Sequence, residues 1–168
     1  AVVVEAGFGS GALTLALLRS VGQTGEVITY DLETSRSQKS LAQITPFMPN
    51  NHSLTVKNGD IYKGISEREI DRLILDLPEP WNAVEVASSS LTLGGIVLSF
   101  LPTILQVHKL VEALNSSGQF QLIETIEVLH RSWHVSEHSV RPDHRMVAHT
   151  GFITTARKCY PRSTGINQ

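Results

Sequence analysis

The sequence predicts an α/β protein: a mainly parallel sheet of seven strands, helices on both of its faces, and an antiparallel hairpin at its carboxyl-terminal end. Three observations lead to this fold class. Apolar runs of strand length alternate five times with segments of helical periodicity, which is typical of parallel β-α units. A glycine-rich turn joins the first strand to the first helix. The last two apolar runs follow one another without a helix between them, so we expect them to pair antiparallel.

Each predicted element has a local signal. Strands are runs rich in β-branched residues, and helices carry apolar residues at three- and four-residue spacing. Gly22 ends the first helix, Pro46 ends the second, and Gly59 closes the third strand. The strands are predicted at Val2–Ala6, Glu26–Asp31, 53–56, 71–77, 95–101, 120–131 and 150–157. The helices are predicted at Ala12–Val21, 33–45, 81–91 and 102–114, and the polar segment before the last strand is predicted as a loop.

Composition indicates a single soluble domain. The chain has 168 residues, of which 41% are hydrophobic, so it can bury a core of ordinary size. Cys159 is the only cysteine, which excludes an internal disulfide, and no apolar run approaches the ~20 residues of a membrane span. We therefore expect a cytoplasmic protein without a membrane partner. Because Ala1 lies directly in an apolar run, we also expect a preceding segment in the complete protein.

Charge is distributed unevenly along the chain. The net charge is −2, but residues 128–168 carry six Lys and Arg against two acids, whereas the first 127 residues carry eight bases and fourteen acids. Five of the seven histidines also lie in this basic tail. Such a segment can face a polyanion or can be an ordinary solvated surface, and charge alone leaves both interpretations open.

The turn after the first strand has the composition of a cofactor-binding loop. Gly7, Gly9 and Gly11 allow a tight turn and a close approach of the backbone to a ligand, and the next helix directs free N–H groups toward it. The same spacing, completed by Ala12, fits a dinucleotide fingerprint, so NAD stays an alternative on this segment alone. Glu5 favours a different cofactor, because a carboxylate attracts an ammonium group and repels a pyrophosphate.

Two further acids follow the second and third strands. Asp31 can accept hydrogen bonds from both hydroxyls of a ribose. Asp60 can accept one from an adenine amino group while Ile61 covers the ring, although an Asp after Gly59 can equally well form a simple turn. Because the carboxyl ends of parallel strands bind ligands in such sheets, these acids and Glu5 predict a site for S-adenosylmethionine (SAM), whose amino acid, ribose and adenine parts each meet one of them.

Asp76 ends the fourth predicted strand and is followed by a proline-rich turn. Prolines fix the backbone, so the turn can hold the Asp76 carboxylate at the edge of the sheet beside the methyl group. There the carboxylate can accept a hydrogen bond from the exocyclic amino group of an adenine and stabilise the positive charge that methylation of a ring nitrogen creates. The other interpretation is that Asp76 only caps the helix that begins near Trp81.

These stretches resemble the tRNA (adenine-N1)-methyltransferases, which modify the T-loop adenosine at tRNA position 58. The resemblance covers nearly the whole chain, and its most specific parts are Asp76-Leu77-Pro78-Glu79-Pro80-Trp81 and His149-Thr150-Gly151-Phe152. It implies a Rossmann-like class I methyltransferase fold, a catalytic domain over residues 1–168, SAM as the cofactor, Asp76 as the catalytic residue, tRNA as a partner and a homotetramer. The implied cofactor-binding residues are Glu5, Gly7, Gly9, Ser10, Gly11, Ala12, Leu13, Asp31, Arg36, Asp60, Ile61 and Asp76.

The chain departs from the family pattern at three positions. Phe8 stands where a small residue is common, Asp31 where glutamate is usual, and Phe100 where tyrosine is usual. A phenyl ring can still stack on a base, but it cannot form a hydrogen bond. The small N-terminal β domain of the family is also absent from these residues. A second hypothesis therefore stays open: a non-catalytic RNA-binding subunit of a tRNA methyltransferase complex.

The basic tail supplies the predicted tRNA contacts, because arginine next to aromatic residues suits phosphate binding and base stacking. The predicted tRNA-binding residues are Phe100, Arg131, Trp133, Arg141 and Arg145; for Trp133 a position in the core is the alternative. His130, His134 and His138 are spaced by four, which suits a metal only on a helix, and this segment has the pattern of a strand that continues into a loop. No metal site is expected.

Overall fold

The computed structural model describes residues 1–50, 52–129, 131–144 and 151–161 and confirms the predicted α/β class. The strands are β1 (Val2–Ala6), β2 (Glu26–Asp31), β3 (Leu54–Asn58), β4 (Ile70–Leu75), β5 (Leu91–Leu101), β6 (Phe120–Glu127), β7 (Trp133–Ser136), β8 (Ser139–Pro142) and β9 (Phe152–Lys158). The helices are α1 (Ala12–Val21), α2 (Thr34–Ile44), α3 (Val84–Ser90) and α4 (Ile104–Ser117), and short 3₁₀ turns lie at Thr45–Phe47, Ile61–Lys63 and Pro80–Ala83. Within these ranges no helix is long and apolar enough to cross a membrane.

Seven of the strands form one sheet in the order β3-β2-β1-β4-β5-β9-β6. The first five pair in parallel, so their carboxyl ends meet at one edge. The predicted antiparallel pairing of the last two long strands is confirmed, and β9 lies between β5 and β6, antiparallel to both. The segment predicted as a loop contains a separate two-stranded ribbon of β7 and β8.

The two faces of the sheet bury different side chains, because successive residues of a strand point to opposite sides. Val4 and Ala6 of β1 join the main apolar core, which α3 and α4 cover; Leu110 and Leu114 of α4 are each 1% exposed. Burying such a leucine stabilises the fold by about 2 kcal/mol. Glu5, which lies between Val4 and Ala6 in β1, faces the opposite side and hydrogen-bonds to α1.

The boundaries of several elements differ from those predicted. β5 begins at Leu91, four residues earlier than expected, because Leu91 pairs with Ile70 of β4 ahead of an irregularity in the register. The helix expected from residue 102 begins at Ile104, since Thr103 adopts an extended backbone and its hydroxyl accepts a hydrogen bond from the Gln106 N–H. β4 ends at Leu75, ahead of the proline-rich turn.

Candidate cofactor and catalytic site

The carboxyl edge of the parallel sheet brings the predicted acids together. Glu5 lies in β1, Asp31 ends β2, and Asp60 and Asp76 follow β3 and β4. Next to them is a cleft that opens to solvent. The predicted cofactor-binding residues that line this cleft are Gly7, Asp31, Arg36, Asp60 and Ile61. The other predicted ones (Glu5, Gly9, Ser10, Gly11, Ala12, Leu13 and Asp76) lie in the adjoining strand, turn, helix and loop.

Glu5 is fully buried at the centre of the sheet. Its Oε2 accepts a 2.5 Å hydrogen bond from the Thr14 hydroxyl of α1, and its Oε1 has no hydrogen-bond partner among the described residues. Burial, with a smaller contribution from the nearby carboxylate of Asp76, raises the pKa of Glu5 from 4.5 to about 7, although the hydroxyls of Thr14 and Thr29 lower it. A buried carboxyl with an unused oxygen is suited to receive a cation.

Asp31 already has cationic and amide partners. Its Oδ1 accepts hydrogen bonds from the Glu33 N–H at 2.9 Å and from the Arg36 guanidinium at 3.0 Å. Burial alone would raise the pKa of Asp31, but the Glu33 amide and Arg36 outweigh it and hold that pKa below its ordinary value. The carboxylate is therefore ionised at neutral pH and can accept hydrogen bonds from ligand hydroxyls. Arg36 lines the same cleft.

The glycine-rich turn has a shape that larger residues would disturb. Gly11 has a φ of 79°, and a Cβ atom there would lie 2.8 Å from a side-chain carbon of Ile44. The Ser40 hydroxyl of α2 donates a 2.6 Å hydrogen bond to the Gly9 carbonyl and ties the turn to that helix. Phe8 is 2% exposed and packs beside Gly11, outside the residues that line the cleft. The Phe8 side chain thus packs against the turn on the side away from the cleft.

Asp60 both forms a turn and lines the cleft. Its Oδ1 accepts a 3.1 Å hydrogen bond from the Tyr62 N–H and caps the 3₁₀ turn Ile61–Lys63. Ile61 is 4% exposed, and its side chain belongs both to the apolar core and to the wall of the cleft. The two interpretations of Asp60 from the sequence are therefore compatible.

Asp76 is exposed at the edge of the sheet, and its N–H donates a 2.7 Å hydrogen bond to the carbonyl of Ala6 in β1. The 3₁₀ turn that follows begins after Glu79 and has no side-chain cap, so Asp76 does not cap it. Two contacts from α4 hold the intervening loop: Gln106 donates a 3.0 Å hydrogen bond to the Pro78 carbonyl, and the Lys109 ammonium lies 5.0 Å from the centre of the Trp81 ring. The Asp76 side chain itself is exposed to solvent.

The predicted tRNA-binding residues are distributed over several surfaces. Phe100 is 43% exposed at the carboxyl end of β5, and Arg131 is exposed ahead of β7. In the ribbon, Trp133 pairs with Pro142 and His134 pairs with Arg141, which puts Trp133 and Arg141 on opposite faces. Trp133 is 57% exposed and is not a core residue. Arg145 lies outside the described residues.

The ribbon is also relevant to the histidine spacing. His134 lies on a strand, where residues four apart are too distant to share a metal, and His130 lies outside the described residues. Over the described ranges, no group of three or more His, Cys, Asp and Glu side chains is arranged to hold a metal ion.

Several residues of the site were not predicted from the sequence. Thr14 holds Glu5, and Tyr30, Leu32, Tyr62 and Leu77 line the cleft. Thr14 could have been found from the sequence, since a polar residue on the buried face of a helix needs a hydrogen-bond partner. The other four residues directly adjoin predicted site residues, and only the structure shows which of their side chains face the cleft.

The sheet order, the glycine-rich turn and the acids at the carboxyl edge define a class I SAM-dependent methyltransferase. The structure superimposes on a SAM-dependent O-methyltransferase from Thermotoga maritima with a TM-score of 0.88 and 32% identity, over 96% of this chain and 60% of that one. It also matches the tRNA (m1A58) methyltransferase TrmI from Aquifex aeolicus, with a TM-score of 0.77 and 32% identity over 94% and 62% of the two chains.

The chain belongs to the tRNA methyltransferase complex GCD14 subunit family, whose model matches residues 1–142. One curated relative is the tRNA (adenine(57)-N(1)/adenine(58)-N(1))-methyltransferase TrmI of Methanocaldococcus jannaschii, which is 39% identical over 180 residues. That match covers 92% of this chain and 64% of the relative, so the chain spans less than two thirds of the relative's length.

Proposed function

We propose that this protein transfers the methyl group of SAM to N1 of the adenosine at position 58 in the tRNA T-loop, and that residues 1–168 form its catalytic domain. The observation that carries the proposal is the exposed carboxylate of Asp76, next to the buried carboxyl of Glu5 and at the same edge of the sheet as Asp31 and Asp60. Membership of the family and the named activity of its relatives support the choice of substrate. We also propose a cytoplasmic location.

The residues present fit the cofactor. The unused Oε1 of Glu5 suits an ammonium group, the ionised Asp31 suits ribose hydroxyls, and the cleft wall at Asp60 and Ile61 suits an adenine. When bound, SAM supplies an electrophilic methyl group on a sulfonium. The glycine-rich turn allows the close approach that such a ligand requires, since Gly9 and Gly11 have no Cβ and adopt positive φ.

The chain's own residues mainly position the substrate. The lone pair on N1 of adenine is the nucleophile, so alignment supplies most of the rate enhancement. The Asp76 carboxylate accepts a hydrogen bond from the adenine amino group and stabilises the positive charge that develops on the ring, or takes the amino proton. Phe100, at the end of the neighbouring strand, offers an exposed ring on which the base can stack.

The direct test is methyl transfer in the complete protein. Unmodified tRNA transcript and labelled SAM should yield N1-methyladenosine at position 58, and a transcript with guanosine at that position should lose the label. Transfer to another nucleoside would contradict the proposed substrate. Binding of S-adenosylhomocysteine without transfer to any tRNA would instead favour the non-catalytic subunit.

We further propose that the protein is a homotetramer in which the ribbon contacts another copy, while its opposite face meets tRNA. One face of the ribbon carries Val135 and Val140, which are 72% and 68% exposed. Trp133 lies on the same face, so this proposal places it at the contact between copies and not, as predicted from the sequence, on the tRNA. The other face carries His134 and Arg141. A two-stranded ribbon is only marginally stable by itself, so its apolar face is expected to be covered.

Replacing Val135 with lysine should therefore reduce the oligomer to a smaller species, because a charge would be buried at the interface. The mass is measured by light scattering on a gel-filtration column. Ser136→Lys puts the same charge on the opposite face of the same strand and should leave the mass unchanged. An unchanged mass in Val135→Lys would contradict the proposed interface.

A further inference from the structure

Behind the cleft, three side chains form a charged cluster that no step of the proposed reaction uses. The Tyr30 hydroxyl donates a 2.6 Å hydrogen bond to Oε2 of Glu67, and the Lys57 ammonium donates a 2.5 Å hydrogen bond to Oε1 of the same carboxylate. Lys57 also donates to the Ser66 hydroxyl at 3.0 Å and lies 5.8 Å from the centre of the Tyr30 ring. Glu67 is the shared partner, and its side chain is 11% exposed.

The cluster closes the base of the loop that carries the proposed adenine contacts. Lys57 and Glu67 are ten positions apart, and the segment between them contains Asp60 and Ile61. Lys57 is in β3 and lies beside Tyr30 of β2 in the register of the sheet. The Lys57–Glu67 ion pair therefore ties the far end of the loop to β3, and the Tyr30–Glu67 hydrogen bond ties it to β2.

The Tyr30 ring supports the same loop from below. A Cβ atom at Gly59 would lie 3.3 Å from a ring carbon of Tyr30, so the loop backbone rests directly on the ring. Tyr30 is 7% exposed and lines the cleft itself. Because Glu67 accepts the hydrogen bond of the Tyr30 hydroxyl, it helps to fix the ring against which Gly59 packs.

We propose that Glu67 is a positioning residue for cofactor recognition: through Tyr30 and Lys57 it sets the loop that binds the adenosine half of the cofactor. This inference rests on the proposed function. Glu67 lies outside the residues that line the cleft. Its loss should therefore weaken binding of the adenosine half and leave the methyl-transfer step at saturating SAM unchanged.

The test is made in the complete protein with Glu67→Gln, which keeps the shape and removes the charge. Dissociation constants are measured for S-adenosylhomocysteine by calorimetry and for adenosine by competition. Both should rise about tenfold, a size usual for residues of one hydrogen-bond network. KM for SAM should rise with them while kcat is unchanged, a separation that general destabilisation of the fold would not produce.

Tyr30→Phe removes only a hydroxyl and serves as a second variant should Glu67→Gln fold poorly. In the double variant, the fold loss of affinity should be smaller than the product of the losses in the two single variants, because both substitutions break the same interaction. Glu112→Gln, at an exposed position of α4, is the matched control for the change of charge. Glu5→Gln should weaken S-adenosylhomocysteine but not adenosine, which lacks the amino group.

The outcomes separate the two proposals. If the unmodified protein binds S-adenosylhomocysteine and both Tyr30→Phe and Glu67→Gln bind adenosine with unchanged affinity, the role of Glu67 is wrong and the proposed function stands. A lower kcat with an unchanged KM for SAM in Glu67→Gln would also contradict the proposed role of Glu67. If the unmodified protein binds neither ligand, the proposed function fails and this inference fails with it.

Discussion

Replacing Asp76 with alanine should lower kcat for tRNA methylation by about 10³-fold, which is the middle of the range for a group that acts on a proton or a developing charge. The reason is that the variant loses both the acceptor for the adenine amino group and the negative charge beside the ring. Because Asp76 lies outside the residues that line the cleft, the dissociation constant for S-adenosylhomocysteine should change less than kcat. Single-turnover transfer and calorimetry measure the two quantities.

Two further variants separate charge from hydrogen bonding. Asp76→Asn keeps an acceptor oxygen but removes the charge, so its kcat should fall between those of the unmodified protein and Asp76→Ala. Glu79→Ala removes a carboxylate three residues away in the same loop, which accepts a hydrogen bond from the exposed amide of Asn82, and this variant should retain kcat. Equal loss of activity in Glu79→Ala and Asp76→Ala would mean that the loop itself, rather than the Asp76 carboxylate, is what the reaction requires.

Much of this site could be predicted because it depends on local sequence. β1, α1 and β2 have the predicted bounds, since each is an apolar run or an amphipathic segment bounded by glycine or polar residues. The parallel order of the sheet then brings the residues that follow β1 to β4 to one edge. The sequence therefore predicts that Glu5, Asp31, Asp60 and Asp76 lie close together.

The remaining features depend on contacts that are distant in sequence. The insertion of β9 between β5 and β6 follows from pairing across more than fifty residues, for example Ile96 with Arg157, and no local signal specifies it. The ribbon was predicted as a loop because each of its strands is only four residues long and half polar. Glu67 was missed for the same reason: its partners Tyr30 and Lys57 lie on two other strands.

The stability of the free protein should fall as pH rises from about 5 to 8, and Glu5 should account for a large part of the fall. The pKa of Glu5 is raised from 4.5 to about 7 in the folded chain. A group whose folded pKa lies above its unfolded pKa binds more protons in the folded state, so raising the pH destabilises that state. The stabilisation of the folded state by protonated Glu5 is complete below about pH 4.5 and is lost as the pH rises through 7. A shift of this size corresponds to about 3 kcal/mol.

Glu5→Gln should remove this dependence, because an amide keeps the hydrogen-bonding shape and does not titrate. The free energy of unfolding is measured by urea denaturation at pH 5 and at pH 8, and the difference between these two values should be about 2 to 3 kcal/mol smaller in the variant. Glu112→Gln, on the exposed surface of α4, should keep the dependence of the unmodified protein. A pH dependence that is identical in Glu5→Gln and the unmodified protein would mean that Glu5 is not buried as a neutral acid.

The same group should link cofactor binding to pH in the opposite direction. An ammonium group placed against Oε1 favours the ionised carboxylate, so S-adenosylhomocysteine should bind more tightly as pH rises through 7 and should release a proton from Glu5 below that pH. Calorimetry in buffers of different ionisation enthalpy counts that proton. Glu5→Gln should release none and should bind with an affinity that no longer rises with pH. Glu5 would thus destabilise the free protein near neutral pH, and the ammonium group of the bound cofactor would offset this loss. This is a physical reason for a carboxyl at the centre of the sheet.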